Sequence, residues 1–251
     1  MPDAPPAGAR RGESRKESAV TGSDNDAPIG ILMLDTRFPR VLGDVGNPLT
    51  WPFPVVIRVV RDANADRVVA KRAAGLHAAF VDAGRALAAE GAIGITTTCG
   101  FLSLVQRELA AALPVPFAAS SLAQIPSVEA ILPSGKCAGV ITVDAAALTA
   151  DHLRAAGARP DTPVVGTEGG RELTRVLLGD ELALDTAAAE RDVLAAGDDL
   201  LARHPEVGAV VLECANMPPY AAALAAHLRL PVFDFVSFVT WFRAGLIPRR
   251  F

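Results

Sequence analysis

From Pro28 onward, short apolar runs alternate with longer segments whose apolar residues return at helical spacing. The runs IGILMLD (29–35), VVIRVV (55–60), AIGIT (92–96) and VPFAA (115–119) have the length and composition of buried strands. After the second run, DRVVAKRAAGLHAAFVDAGRALAAEG places Val69, Ala73, Leu76, Phe80, Ala83 and Leu87 on one face, which predicts a single long amphipathic helix. Four more strand-like runs follow: AGVITVD (138–144), PVVGT (163–167), GAVVLE (208–213) and PVFDF (231–235). Helices are expected near 150–157, 171–178, 186–203 and 217–228. Strands alternating with helices predict an α/β protein whose parallel sheets carry helices on both faces.

The second group of runs repeats the first. GILMLD (30–35) and GVITVD (139–144) each open on Gly and close on Asp. Cys99 stands 17 residues before Pro116, and Cys214 stands 17 residues before Pro231. Strand, thiol, helix and proline-led strand therefore recur in order, as a duplication would leave them. Similar helix and strand lengths alone would give the same interval, so the order carries the inference.

Both thiols fall where a strand hands over to a helix, TTTCGF around Cys99 and LECANMPPY around Cys214. In open parallel sheets, ligands bind beyond the carboxyl ends of the strands. A helix start adds unpaired N–H groups, which hold carboxylates and lower thiol pKa values. Asn216 is expected to cap the second helix, with Pro218 and Pro219 in its first turn. If the halves face each other, the thiols meet across one cleft as acid/base groups on opposite faces of one carbon. The bland alternative, a small core residue, is taken for Cys137, which follows Lys136 at the wrong end of its strand. No His lies near either thiol in sequence, so a metal site is not expected.

Composition narrows the classes. The 251 residues are 51% hydrophobic with a net charge of −4, which excludes a disordered chain and gives no pull toward nucleic acid or anionic membrane. Three cysteines are too few for a disulfide framework and point to a reducing, cytoplasmic setting. No apolar run is long enough to span a bilayer. Residues 1–27 read as a solvated tail. Lys16, Lys71 and Lys136 are badly placed for a pyridoxal Schiff base, and no cofactor is expected.

Taken together, LDT after the first strand, TTTCGF and LECANMPPY are similar to the aspartate/glutamate racemase superfamily, which includes hydantoin racemases, arylmalonate decarboxylase and maleate isomerase. The resemblance covers nearly all of residues 28–251. It implies two pseudo-symmetric flavodoxin-like lobes with the active site between them, here 28–121 plus 234–251 and 122–233. It also implies cofactor-independent racemisation or epimerisation next to a carboxylate or carbonyl, on an amino acid, hydantoin or related small acid, with Cys99 and Cys214 as the acid/base pair. The same resemblance assigns substrate or base-orienting roles to Asp35 and Thr36, and implies a homodimer.

Around the thiols, the N–H groups near Gly100 and Ala215 and the hydroxyls of Thr97 and Thr98 are expected to hold the negative charge of an enediolate. Ser120, Ser121, Glu168 and Asn216 are further substrate-binding candidates on the same rim. The Pro/Gly-rich segment 36–54 is either a lid or a packed crossover loop. Two rivals stay open. One is a decarboxylase or cis–trans isomerase of a small diacid that needs one thiol. The other is a non-catalytic two-lobed binding protein that needs neither.

Overall fold

The computed structural model of the protein describes residues 26–249; residues 1–25, most of the expected tail, lie outside the described residues. Among the described residues, eight strands form two parallel sheets of four. The first contains β1 (Ile29–Leu34), β2 (Val55–Val60), β3 (Gly94–Thr97) and β4 (Phe117–Ala118), in the order β2-β1-β3-β4. The second contains β5 (Cys137–Thr142), β6 (Val164–Gly166), β7 (Val207–Leu212) and β8 (Val232–Phe233), in the order β6-β5-β7-β8. Each half winds its four strands in the same spatial order. That is the repeat of the sequence made visible, in two flavodoxin-like lobes.

Helices α1 (His77–Ala89), α2 (Gln106–Ala112), α3 (Ile125–Ile131), α4 (Ala150–Ala155), α5 (Leu173–Gly179), α6 (Thr186–Arg203), α7 (Ala221–Leu228) and α8 (Phe235–Leu246) flank the sheets. The paired strand glycines have a packing reason. A Cβ at Gly30 would sit 3.2 Å from Leu87 of α1, and one at Gly139 would sit 2.8 Å from Leu200 of α6. Each lobe lays its long helix against a side-chain-free spot on its first strand. At the end of the chain, α8 returns to the first sheet, where Phe242 and Leu246 cover Gly94.

Three expectations change. The single helix over 66–91 is broken: Asp66–Ala70 forms one wide π turn, and α1 starts only at His77. Arg72 and Ala73 take left-handed φ values of 55° and 57°, as does Gly75 at 75°. Val69, Ala73, Leu76, Phe80 and Leu87 are all buried nonetheless. Periodicity reports which residues are buried, and a turn can bury them as well as a helix does. The strand expected to run to Phe235 stops at Phe233, because the Asp234 carboxylate accepts from Ser237 N–H at 2.7 Å and starts α8. Asn216 does not cap a helix; Met217 precedes the short 3-10 turn Pro218–Tyr220, and the Asn216 side chain turns elsewhere. Among the described residues, no helix is long and apolar enough to cross a membrane.

Candidate active site

β3 ends at Thr97 and β7 at Leu212, so each lobe delivers a thiol two residues beyond an internal strand. Cys99 and Cys214 are each 8% exposed, and both line one partly open cavity, about 410 Å³ when the solvent space at its mouth is included. Thr36, Phe38 and Arg40, from the segment after β1, form part of its wall. Leu177 and Leu178 at the end of α5 add apolar surface from the second lobe. The result is a small pocket with two thiols, a few polar groups and a largely hydrocarbon lining, the usual anatomy of a small-molecule site.

The thiols differ in their partners. Cys214 Sγ donates to Asn216 Oδ1 at 3.4 Å, and Asn216 Nδ2 donates to a carboxylate oxygen of Asp44. Arg40 Nη1 donates to the other Asp44 oxygen at 3.2 Å, and Arg40 Nη2 donates to Thr36 Oγ1 at 2.8 Å. A polar chain therefore runs from Cys214 across the lobe boundary to Arg40. Backbone N–H groups favour both thiolates, those of Phe101 and Leu102 at Cys99 and that of Asn216 alone at Cys214. The expected lowering by N–H groups at the strand ends is present at both thiols, but it does not prevail. Burial pushes both up and the charge of Glu213 adds to it, outweighing the N–H groups.

No family model matches the chain. In sequence it is 29% identical over 220 residues to dimethylsulfoniopropionate lyase 3 of Emiliania huxleyi (strain CCMP1516), a match covering 83% of this chain and 57% of that protein. The chain thus spans little more than half the length of that relative. In structure it matches a cysteine mutant of arylmalonate decarboxylase in a sulfate-associated form, with a TM-score of 0.59, 15% identity, and 87% and 93% of the two chains covered. It also matches an aspartate racemase homologue from Pyrococcus horikoshii OT3, with a TM-score of 0.51, 16% identity, and 88% and 98% covered. The chain shares the fold of these two proteins. At these identities the structural likeness speaks for the fold, and the chemistry must be argued from the site.

Within this racemase-type fold, Thr36, Thr98, Gly100 and Asn216 line the cavity with the two thiols. Thr98 Oγ1 accepts from Leu34 N–H at 3.0 Å, which leaves its own hydroxyl proton to donate. The remaining expected contacts stand away from the cavity wall, each engaged in holding the fold. Thr97 Oγ1 donates to Ala119 O at 2.8 Å and accepts from Cys99 N–H at 3.2 Å, fixing the thiol-bearing turn. Ser120 Oγ accepts from Leu122 N–H at 3.3 Å, and Ser121 Oγ donates across the lobes to Leu212 O at 2.7 Å. Ala215 O accepts from Val45 N–H at 3.1 Å. Asp35 and Glu168 are exposed and accept from the N–H groups of Asp62 and Ala145.

Sequence reasoning missed Arg40, Asp44 and Glu213. Nothing local marks Asp44, an acidic residue in a Pro/Gly-rich loop that folding makes 1% exposed. Glu213 did leave a signal, since a carboxylate closes the apolar run GAVVL immediately before Cys214. It is 0% exposed; Oε2 accepts from Thr142 Oγ1 at 2.7 Å, while Oε1 has no partner. Burial raises its pKa to about 7, against the lowering effect of the Thr142 hydrogen bond.

Proposed function

We propose that the chain is a cofactor-independent lyase that removes the proton from the carbon next to a carboxylate and expels a leaving group from the adjacent carbon. The observation that supports it most is the single cavity walled by one thiol from each lobe. The likeness to a dimethylsulfoniopropionate lyase turns the outcome toward elimination, with dimethylsulfoniopropionate or a related β-sulfonium acid as substrate.

In that reaction Cys99, with two N–H groups on its sulfur, is the base. Its thiolate takes the α-hydrogen, and the freed electron pair forms the C=C bond. The C–S bond breaks, its pair leaves with neutral dimethyl sulfide, and acrylate remains with one proton on Cys99. Thr98 and the Gly100 turn offer donors to the enediolate, and Arg40 sets a positive charge against it. One well-placed donor in a dry site contributes about 2.7–4 kcal/mol. A sulfonium loses its charge as the bond breaks, so the hydrocarbon wall of Phe38, Val69, Phe101 and Leu177 favours that direction. Cys214, donating to Asn216, stays a neutral thiol on the opposite side.

A second reading, racemisation at the same carbon, rests on the presence of a thiol from each lobe: Cys214 would then return a proton to the other face. One incubation in deuterated water separates the two. Dimethylsulfoniopropionate is expected to release dimethyl sulfide into the headspace with an equal amount of acrylate. No sulfide, together with deuterium entering the α-position of an amino acid or 5-substituted hydantoin, would replace the lyase by a racemase. Neither outcome from either panel would remove the α-proton chemistry itself.

A further inference from the structure

Glu213 is the one cavity-lining carboxylate for which the α-proton chemistry has so far supplied no use. It adjoins Cys214 in the chain, and a Cβ placed on Gly100 would collide with its Oε1, so the carboxyl group lies against the turn that carries Cys99. Oε1 is buried without a hydrogen-bond partner, and Glu213 forms no ion pair among the described residues. A fully buried, half-satisfied carboxylate with no cation is costly as a structural device. Its position next to Cys214 and against the turn that carries Cys99 suggests a proton acceptor instead. The other charged groups facing this cluster are Arg40, which lowers Cys99, and Asp44, which raises Cys214; the Arg40–Asp44 pair is itself closed. Cys214 already has an acceptor in Asn216 Oδ1, which leaves Cys99 as the thiol whose proton needs a destination.

We propose that Glu213 is the proton acceptor for Cys99, so that the thiolate forms by transfer of one proton from Sγ to Oε1 and the pair carries a single negative charge between them. The transfer moves charge within the buried cluster rather than bringing a new charge into it, so no second desolvation penalty arises. The S–H bond breaks, an O–H bond forms, and the N–H groups of Phe101 and Leu102 receive the charge on sulfur. A coupled pair of this kind titrates as a unit. Once the shared charge is in place, near neutral pH, raising the pH further changes neither the charge nor the thiolate fraction. Glu213 thereby fixes the supply of base against pH. This assignment deepens the lyase reading, since it names the group that activates that reading's base.

The test reads the thiol directly and so does not depend on which substrate is right. The rate of Cys99 alkylation by iodoacetamide is followed by peptide mass mapping from pH 5.5 to 9.5 in the full-length protein. The wild type is expected to rise tenfold per pH unit up to about pH 7 and then level off. Glu213→Gln, which keeps the shape and can still accept from Thr142, is expected to lose the plateau and continue rising through pH 9. Thr142→Val keeps the carboxylate but removes the hydrogen bond that lowers its pKa, so the break is expected to move to higher pH. Coincident profiles for wild type and Glu213→Gln, or a wild type without a break between pH 6 and 8, would overturn the assignment. If alkylation shows the break while dimethylsulfoniopropionate is not cleaved, the acceptor role stands and only the lyase reading fails.

Discussion

At the scale of single residues, two cysteines at equivalent places in a duplicated fold have unequal surroundings. Cys99 receives two N–H groups, whereas Cys214 receives only that of Asn216 and donates to the Asn216 side chain, which is tied to Asp44. The asymmetry predicts unequal mutants. Cys99→Ser should cost about 10²–10⁴-fold in turnover, the usual worth of a positioned base. Cys214→Ser should leave measurable elimination yet abolish any exchange into both faces of the α-carbon, as followed by deuterium NMR. Asp44→Asn should leave Arg40, nearly buried, without its countercharge. Breaking such a pair costs about 3–5 kcal/mol, readable as a lower denaturation midpoint in urea. Of these residues, the two thiols were legible because a thiol after TTT or LE interrupts an apolar run. Asp44 and Arg40 were not, because their partners lie in another lobe or across a loop with no periodicity.

At the scale of elements, the strand–turn junctions set the geometry. Gly100 follows Cys99, and the absence of a side chain there lets the Glu213 carboxyl press against the turn. Gly100→Ala should therefore displace either the turn or Glu213, lowering kcat by an order of magnitude or more while the circular dichroism spectrum stays that of the wild type. Gly139→Ala, remote from the cavity, should do the reverse. Its Cβ would press on Leu200 of α6 and cost about 1–3 kcal/mol in stability, while the KM of the folded enzyme is unchanged. The same scale explains the broken helix before α1. Its hydrophobic spacing was correct, but the chain buries those residues through left-handed turns at Arg72 and Ala73.

For the molecule as a whole, the lobes are joined by a buried hydrogen bond from Ser121 to Leu212, by the Asp44–Asn216 contact and by exposed ion pairs such as Arg37–Asp180 at 2.9 Å. Arg37 is 70% exposed, so Arg37→Ala should change stability by no more than about 1 kcal/mol in a thermal melt. Stability should also depend on pH from both sides. Glu213 has a folded-state value of about 7 against an ordinary 4.5, so its contribution is complete at low pH and is lost as pH rises through 7. His152, buried and lowered from 6.5 to about 4, contributes above its ordinary value and loses that contribution as pH falls through 4. Urea titrations at several pH values should show a maximum between these limits, and Glu213→Gln should flatten the alkaline arm alone.

By itself, the order of apolar and amphipathic segments determined the α/β class, the duplication and the strand ends that carry the thiols. Those follow from local spacing and from the rule that parallel strands gather ligands at their carboxyl ends. Only the tertiary structure decided which hydroxyls reach the cavity and which brace the turns behind it. Thr97 and Thr98 are neighbours of one chemistry, yet one is tied to Ala119 O and the other faces the pocket. It also decided the thiol electrostatics, because desolvation and the charge of Glu213 depend on what the opposite lobe excludes. Burial is a property of the assembled molecule, and no single stretch of chain contains it.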